Sequence, residues 1–291
     1  MDAKFLISQL APLPEEVVSQ HNIVEIPSPL YVDEEEYADN DVPFSIDKMC
    51  EMLLKDVKQF GSAQSPPSDY IEVIKSIPRE TPVFIICLSS KLSGYYKSAL
   101  EAQEECSEHD VTVIDTTLTP PAMSLYAITA FRTAKQASSV EDLKEKVLAV
   151  KERLNQYWAF HSLKYLYKSG RINAAQAFLG KMIQLVPILT CDEEGNMINV
   201  AKVRRAPKAF EKISALIQDD MEKQEGTSVD ILVLHTGMAA ENGRLLKKKL
   251  EKDLPVGRSM LLKASYVTHR IVGPNAVSAA YAVNRDTEEQ M

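Results

Sequence analysis

The sequence predicts an α/β protein of two domains, the first built on a mainly parallel sheet and the second on a mixed sheet. Its 291 residues exceed what most single hydrophobic cores organise, so two domains of ordinary size are expected. In the first half, short apolar runs alternate with helical patterns, which is typical of βαβ units. In the second half, apolar segments flank the turn-forming residues 192–196, which indicates an antiparallel hairpin. We therefore expect domains over residues 1–156 and 157–291.

The predicted strands of the first domain are short runs of apolar and β-branched residues, a composition that favours buried strands. The segment 33–39 between the second and third strands is rich in acidic residues and is expected to be a solvated loop. Residues 61–68 contain glycine, proline and serine, which predicts a second loop. The strands are expected over 4–7, 23–26, 83–87 and 111–114.

Proline and serine residues typical of helix N-termini mark several helices of the first domain. Pro14 opens a helix over 14–21, with Glu15 and Glu16 in the first turn, where the helix dipole favours acids. Serine hydroxyls can accept hydrogen bonds from the first free N–H groups of a helix. The remaining helices are expected over 46–60, 69–76, 93–105, 122–135 and 141–154, three of them capped by Ser45, Ser68 and Ser139.

The second domain mixes strands and helices less regularly. The hairpin across residues 192–196 joins two of its strands, and a strongly apolar run precedes His235. Strands are expected over 157–161, 187–191, 197–202, 230–235 and 259–263. Helices are expected over 163–168, 174–183, 207–222 and 241–252.

Composition excludes several classes of function. The net charge of −8 argues against a general binder of nucleic acid or anionic membranes. No apolar run approaches the ~20 residues that cross a bilayer, and the N-terminus lacks a signal-peptide core. The four cysteines are scattered without metal-ligand spacing, so we expect no zinc site and a reduced, cytoplasmic setting. The sequence also lacks the common hydrolase, nucleotide-binding and metalloprotease motifs.

One strand and the loop after it carry the clearest functional signal. The apolar run 83–87 leads into a hydroxyl-rich turn with Ser89, Ser90 and Ser93, and a helix follows. Ligands of open α/β sheets bind at this carboxyl edge, and the N–H groups of a helix start favour an anion. The loop is therefore predicted to bind a carboxylate or phosphate. The alternative is that Ser90 or Ser93 only caps the helix.

Several motifs in this order point to a known family. Residues 88–99 read LSSKLSGYYKSA and contain the serine-rich loop, and residues 166–172 read LYKSGRI. A strand end at 113–116, a basic turn at 202–204 and the dipeptide Gly273-Pro274 accompany them. Together these motifs resemble those of the DegV family, bacterial proteins that bind a fatty acid, and the resemblance covers almost the whole chain.

The resemblance implies a fatty acid buried between the two domains, with hydroxyl groups holding its carboxylate. In this sequence the carboxylate contacts fall on Ser62 and on Ser93 with the adjacent Gly94. A buried carboxylate needs such hydrogen bonds. The family's C-terminal Thr-His motif is displaced here, because a gapless match places Ile271 at the histidine's position. His269 remains a candidate contact if the loop carries a two-residue insertion.

Two other motifs of the family are altered in this chain. Family members usually end their first strand in Thr-Asp-Ser-Thr, whereas residues 7–10 read ISQL. The family's Thr-Ser-Gln-Pro loop survives as SAQS at residues 62–65. The head-group contacts of this chain are therefore expected to differ in part from those of the family.

Large apolar residues are the candidates for the wall of the acyl tunnel. They are Phe160, Phe178, Met182 and Ile183, of which Phe178 and Met182 share a helical face. The alternative is that this stripe belongs to an ordinary hydrophobic core.

Basic residues of the second half are candidates for a partner surface. The resemblance includes lipid-presenting subunits of fatty-acid kinases, in which basic residues near the pocket mouth face the kinase and its phosphate. The corresponding residues here are Arg171, Lys202 and Arg204. The alternative is that they are solvated cations paired with acids of this acidic chain.

The expected function is therefore a cytoplasmic, non-enzymatic carrier of a long-chain fatty acid such as palmitate or oleate. It would have no cofactor, no metal, no nucleic-acid partner and no stable membrane insertion, and a fatty-acid kinase is the expected protein partner. One alternative is an acyl-directed hydrolase with Ser93 as nucleophile and His269 or His235 as base. Another is a degenerate family member with a protein–protein role and no lipid.

Overall fold

The first sheet is fully parallel. The structure, a computed structural model, describes residues 2–18, 22–39, 41–173 and 185–285. Four strands, β1 (Lys4–Ser8), β2 (Ile23–Ile26), β6 (Val83–Cys87) and β7 (Val111–Asp115), pair in the order β2-β1-β6-β7. Every residue of β6 is buried, as expected of an apolar run at the centre of a covered parallel sheet.

The strand order creates a crevice at one edge of this sheet. From β1 the chain passes to β2 on one side, whereas β6 lies on the other side of β1 and leads on to β7. The carboxyl ends of β1 and β6 therefore flank a topological switch point, where open α/β sheets bind their ligands. The loop that starts at Leu88 lies at this point.

A small antiparallel sheet is inserted between β2 and β6. Its strands, β3 (Pro29–Val32), β4 (Glu35–Ala38) and β5 (Phe60–Ser62), pair in the order β4-β3-β5. The expected solvated loop over 33–39 is thus wrong, because a turn and β4 occupy it. The helix predicted over 46–60 is also shorter, since α2 (Ile46–Lys55) ends where Asp56 adopts a left-handed conformation.

The second sheet is mixed, as predicted. Its six strands pair in the order β10-β9-β8-β13-β11-β12, and only the β11–β12 pair is parallel. The hairpin expected across residues 192–196 is confirmed. The strands are β8 (Leu154–Phe160), β9 (Leu185–Cys191), β10 (Met197–Arg204), β11 (Ser228–His235), β12 (Val256–Lys263) and β13 (Ala276–Asn284).

One helix lies between the two sheets. The helix α5 (Pro120–Ala134) contacts β1 and β6 on one side and β8, β11 and β13 on the other. Nearly all of its residues are buried, which is typical of a helix that is apolar around its whole circumference. The other α-helices in the described residues, besides α2, are α1 (Glu15–Val18), α3 (Pro67–Ser76), α4 (Tyr95–Glu105), α6 (Val140–Ala149), α7 (Lys164–Lys168), α8 (Ala206–Lys223), α9 (Ala240–Asp253) and α10 (Tyr266–Val272).

The predicted helix caps are confirmed in part. Ser45 accepts a hydrogen bond from the Lys48 N–H at 3.2 Å, and Ser139 accepts one from the Asp142 N–H at 3.1 Å. Ser68 is not a cap, because α3 already begins at Pro67 and lacks a side-chain cap. Proline needs no N–H partner at a helix start, so it can open α3 without one.

Two C-terminal elements, α10 and β13, were not predicted. The strand β13 has the sequence AVSAAYAVN, and all nine residues are buried between β8 and β11. Alanine has a low propensity for strands, so the residue pattern does not predict one here. The strand forms because of its packing between β8 and β11. The helix α10 has only seven residues, too few for a clear periodicity.

The predicted fold class, two α/β domains with one parallel and one mixed sheet, is confirmed. The boundary between residues 156 and 157 stays a prediction, and β8 runs through it. The helix predicted over 174–183 lies outside the described residues. Within the described ranges, no helix combines the length and apolarity needed to cross a membrane.

Candidate ligand-binding site

A cavity of about 110 Å³ lies where the carboxyl edge of the first sheet meets the second sheet. Its walls come from the loops after β1 and β6, from the ends of β5 and β8, and from α7 and α10. Most of its lining is apolar. Its polar end, near the end of β5 and the start of α4, contains Ser62, Gln64, Ser93 and Arg171, and two further polar lining residues are Thr119 and Thr268. The apolar wall includes Leu88, Leu92, Trp158, Phe160, Val267 and Ile271.

Two loops bring Ser62, Ser93 and Gly94 to the lining of the same cavity. The Tyr95 hydroxyl donates a hydrogen bond to the Ala63 carbonyl at 3.2 Å, which ties the loop after β5 to the start of α4. Gly94 permits the close approach, because a Cβ there would stand 2.9 Å from Cδ of the Gln64 side chain. The three predicted carboxylate contacts are therefore neighbours.

The Ser93 hydroxyl does not cap α4. The N-cap of this helix is Gly94, which has no side chain to accept a hydrogen bond. In the described part of the chain, the Ser93 hydroxyl has no hydrogen-bonding partner, although it lines the cavity. Capping by Ser90 is likewise not observed. The hydroxyl is therefore available to a ligand at the N-terminal end of α4, where free N–H groups favour an anion.

Two half-buried arginines lie beside these hydroxyls. Arg171 lines the cavity, and its Nε donates to the Leu92 carbonyl at 3.2 Å. Arg270 donates from Nε to the Phe60 carbonyl at 3.0 Å, and its Nη1 lies 3.4 Å from Oγ of Ser62. Burial lowers the pKa of both guanidinium groups, and the charge of Arg171 lowers that of Arg270 further. Positive charge is thus concentrated at the polar end of the cavity.

His269 lies away from the cavity. Its Nε2 accepts a hydrogen bond from the Gly237 N–H at 2.6 Å, so its proton resides on Nδ1, which donates to the Ser265 carbonyl at 2.7 Å. Burial lowers the pKa of His269 to about 4, so the ring is neutral. Both nitrogens are occupied by backbone groups, and the side chain that lines the cavity is Ile271. The structure therefore does not bring His269 to Ser62 and Ser93.

A buried carboxylate anchors the helix that carries this part of the wall. Asp39 accepts hydrogen bonds from the N–H groups of Tyr266 and Val267, at 3.2 and 2.6 Å, in the first turn of α10. Burial raises the pKa of Asp39 to about 6, although these hydrogen bonds oppose the shift. Asp39 is only 6% exposed, so its predicted position in a solvated loop is wrong.

Of the acyl-tunnel candidates, Phe160 lies within the described residues. It is fully buried, lines the cavity and stacks on Trp158 with ring centroids 5.5 Å apart. The indole of Trp158 donates to Oγ1 of Thr119 at 2.8 Å, and Thr119 also lines the cavity. The other candidates, Phe178, Met182 and Ile183, lie outside the described residues.

The loop after β6 is held by the hairpin of the second sheet. The Ser89 hydroxyl donates to the Gly195 carbonyl at 2.7 Å in a buried contact. Gly195 lies in the turn between β9 and β10, and Met197, two residues later, lines the cavity. This hydrogen bond therefore helps to close the cavity from the side of the second sheet.

Lys202 and Arg204 lie elsewhere. Both are exposed on β10, which is an edge strand of the second sheet, and neither lines the cavity. Of the three predicted partner-facing residues, only Arg171 therefore joins Ser62 and Ser93.

The chemistry available at Ser93 is that of a hydrogen-bond donor. Within residues 2–18, 22–39, 41–173 and 185–285, no histidine nitrogen hydrogen-bonds to the Ser93 hydroxyl. A nucleophilic serine needs such a base. The residues with described positions also contain no cluster of three His, Cys, Asp or Glu side chains that could hold a metal.

Sequence reasoning missed Arg270, Asp39 and Thr119. Arg270 follows His269 directly, so the gapless family match at Ile271 could have pointed to it. Asp39 carries no local signal, because its partners on α10 are 227 and 228 residues away. Thr119 could have been noticed as a hydroxyl next to the helix-opening Pro120.

Comparison with solved structures reveals the same fold in DegV proteins. A DegV family protein from Thermus thermophilus, described by its fatty acid binding, superimposes with a TM-score of 0.86 at 22% identity. The match covers 97% of this chain and 100% of the other. A DegV family protein from Eubacterium eligens loaded with heptadecanoic acid has a TM-score of 0.84 at 18% identity, with coverage of 97% and 100%.

Sequence comparison identifies the same group of proteins. A DegV domain-containing protein of Caldanaerobacter subterraneus is 25% identical over 277 residues, which span 94% of this chain and 95% of the relative. Protein DegV of Bacillus subtilis is 26% identical over 250 residues, or 85% and 88% of the two chains. The family model described as "uncharacterised protein, DegV family" matches residues 9–284. With nearly its whole length matched, the chain belongs to the DegV family.

Proposed function

We propose that this protein binds one long-chain fatty acid, such as palmitate or oleate, with its carboxylate end in the cavity between the two sheets. The carboxylate is held by Ser62, Ser93 and Gly94, and the acyl chain runs along Phe160 into the apolar part. The observation that carries this proposal is the Ser93 hydroxyl, which lines an apolar cavity and has no hydrogen-bonding partner in the described ranges. Fatty acid binding by the Thermus thermophilus relative and the heptadecanoic acid of the Eubacterium eligens relative support it.

The energetics favour a long apolar chain with one charged end. Burying a methylene group contributes about 0.8 kcal/mol, so an acyl chain supplies most of the affinity. Desolvating the carboxylate costs several kcal/mol unless hydrogen bonds replace its water. The hydroxyls of Ser62 and Ser93 and the free N–H groups at the start of α4 offer such bonds.

In this proposal the protein is a non-catalytic carrier in the cytoplasm that presents its lipid to a fatty-acid kinase. The four cysteines, all buried and free, are compatible with a reducing compartment. Lys202 and Arg204 are exposed on an edge strand, where a partner protein can reach them. Arg171, at the cavity, is positioned to face the head group.

Native mass spectrometry of the protein purified from a bacterial host is expected to show a mass increase of one fatty acid per chain. Delipidated protein should take up palmitate again. Ser93→Ala and Ser62→Ala should each weaken palmitate binding about 10- to 100-fold, because a hydrogen bond to a charged group contributes about 1.5–3 kcal/mol.

Ser90→Ala is the matched control, since Ser90 lies in the same loop but is exposed and does not line the cavity. It should bind palmitate like the wild type. A protein that carries no lipid and takes up neither palmitate nor oleate would contradict the proposal. Unchanged affinity in both cavity variants would place the head group elsewhere.

A further inference from the structure

Arg270 is fixed beside the proposed head-group contacts. It belongs to α10, directly before the cavity-lining Ile271, and its side chain crosses to the small antiparallel sheet. There its Nε donates to the carbonyl of Phe60, and its Nη1 lies 3.4 Å from Oγ of Ser62. The guanidinium is thus held next to one of the two hydroxyls at the polar end of the cavity.

The positive charge at this place is not balanced. In the described portion of the chain, neither Arg171 nor Arg270 forms an ion pair with an acid, and the hydrogen bonds that both donate go to carbonyl or hydroxyl oxygens. Both side chains are half-buried, and the pKa of Arg270 is lowered first by this burial and then by the charge of Arg171. Two partly desolvated cations that repel each other are costly unless an anion compensates their charge.

The free donors point to the chemistry of this anion. A guanidinium has five N–H donors, and among the described residues only two nitrogens of Arg270 have hydrogen-bonding partners. The remaining donors are suited to the planar oxygens of a carboxylate, which arginine binds with charge-assisted hydrogen bonds.

From this geometry we infer that Arg270, which lies beside Ser62 but is not among the residues that line the cavity, makes the site selective for an ionised lipid over a neutral lipid with the same chain. Arg270 and Arg171 together neutralise the carboxylate, while Ser62 and Ser93 orient it. The inference rests on the proposed function and adds to it a residue and a selectivity.

The test compares palmitate with hexadecanol, which has the same number of carbons and a neutral head. Binding of both lipids to delipidated protein is measured for the wild type, Arg270→Gln and Arg270→Lys. The wild type should bind palmitate at least 10-fold more tightly than hexadecanol. Arg270→Gln should lose about 10- to 100-fold in palmitate affinity and little in hexadecanol affinity. Arg270→Lys, which keeps the charge, should retain part of the selectivity.

Arg79→Gln is the matched control, because it removes one surface arginine charge far from the cavity lining. It should keep the wild-type ratio of the two affinities. Retained hexadecanol binding by Arg270→Gln shows that the variant is folded with its cavity intact. If Arg270→Gln does not fold, the ratio of palmitate to hexadecanol affinity in the wild type and in Arg270→Lys still tests the selectivity.

The outcomes separate the two proposals. Binding of neither lipid to the wild type overturns the proposed function and this inference with it. Equal binding of palmitate and hexadecanol to the wild type, or an unchanged ratio in Arg270→Gln, overturns only the selectivity assigned to Arg270.

Discussion

Replacing Gly195 with alanine is expected to destabilise the protein by about 4 kcal/mol. Gly195 has a φ of +92°, a conformation that costs a residue with a side chain about 1–2 kcal/mol. A Cβ there would overlap the Ser89 hydroxyl and lie 3.3 Å from Cα of Thr117. Overpacking of this kind adds about 1–3 kcal/mol, and the buried bond from Ser89 would be lost at about 1 kcal/mol more. Urea unfolding measures the difference in the free energy of unfolding.

Gly170→Ala is the matched control for Gly195→Ala. Gly170 also has a positive φ, +76°, but a Cβ at this position would have no atom within 4 Å. Its replacement should therefore cost only the conformational strain of about 1–2 kcal/mol. The double variant Ser89→Ala/Gly195→Ala should recover part of the lost stability, because it removes the overlapping hydroxyl. Equal losses in the two glycine variants would show that the hairpin is not seated on the loop after β6.

Replacing Asp39 with asparagine is expected to give a variant whose free energy of unfolding, taken relative to the wild type, increases between about pH 4 and pH 6. The pKa of Asp39 is raised to about 6, so between pH 4 and 6 the folded state holds a proton that the unfolded state has lost. The contribution of Asp39 to stability therefore falls as the pH rises through this window. A shift of two pKa units corresponds to about 3 kcal/mol, which asparagine would remove.

His269 has the opposite effect in the same pH range. Its pKa is lowered to about 4, so between pH 4 and 6.5 the unfolded state holds a proton that the folded state lacks. The contribution of His269 to stability therefore rises with pH, again by about 3 kcal/mol. In the wild type, the pH-dependent contributions of Asp39 and His269 to the free energy of unfolding therefore have opposite signs. His269→Gln should thus make stability fall with rising pH, relative to the wild type.

The measurement is urea unfolding of the wild type and both variants at several pH values from 4 to 7. Glutamine is chosen at position 269 because its Oε1 can accept the hydrogen bond from the Gly237 N–H that Nε2 of the histidine accepts. Subtracting the wild-type curve removes the groups that titrate equally in all three proteins. A difference from the wild type that stays constant over this range in both variants would mean that α10 is not anchored by a buried carboxylate and a neutral histidine.

Local sequence patterns predicted the elements whose surroundings are uniform, such as a strand that is buried on both faces. The run 83–87, the serine loop after it and the following helix are all found, because a fully buried parallel strand has an unmistakable apolar sequence. The hairpin between β9 and β10 is found because its turn residues have few other conformations available. The placing of Ser62 and Ser93 in one site came from the family resemblance, since nothing local links positions in two separate loops.

Elements whose character depends on distant partners escaped prediction. The acidic segment around Asp39 has the composition of a solvated loop, but its last carboxylate is buried against α10. The alanine-rich β13 becomes a strand because β8 and β11 lie on both sides of it. The local sequence does not reveal that α10 packs on Asp39 or that β8 and β11 flank β13. In both cases these tertiary contacts outweigh the local propensity of the segment.

By itself, the sequence determined most of the strands and helices, the two kinds of sheet and the serine loop at a sheet edge. Burial of apolar residues at regular spacing encodes these features locally. Only the tertiary structure decided that His269 binds backbone groups, that Ile271 lines the cavity and that Arg270 lies beside Ser62. Consecutive residues of a helix point in different directions, and the packing of α10 against the rest of the molecule selects which of them reaches the ligand site.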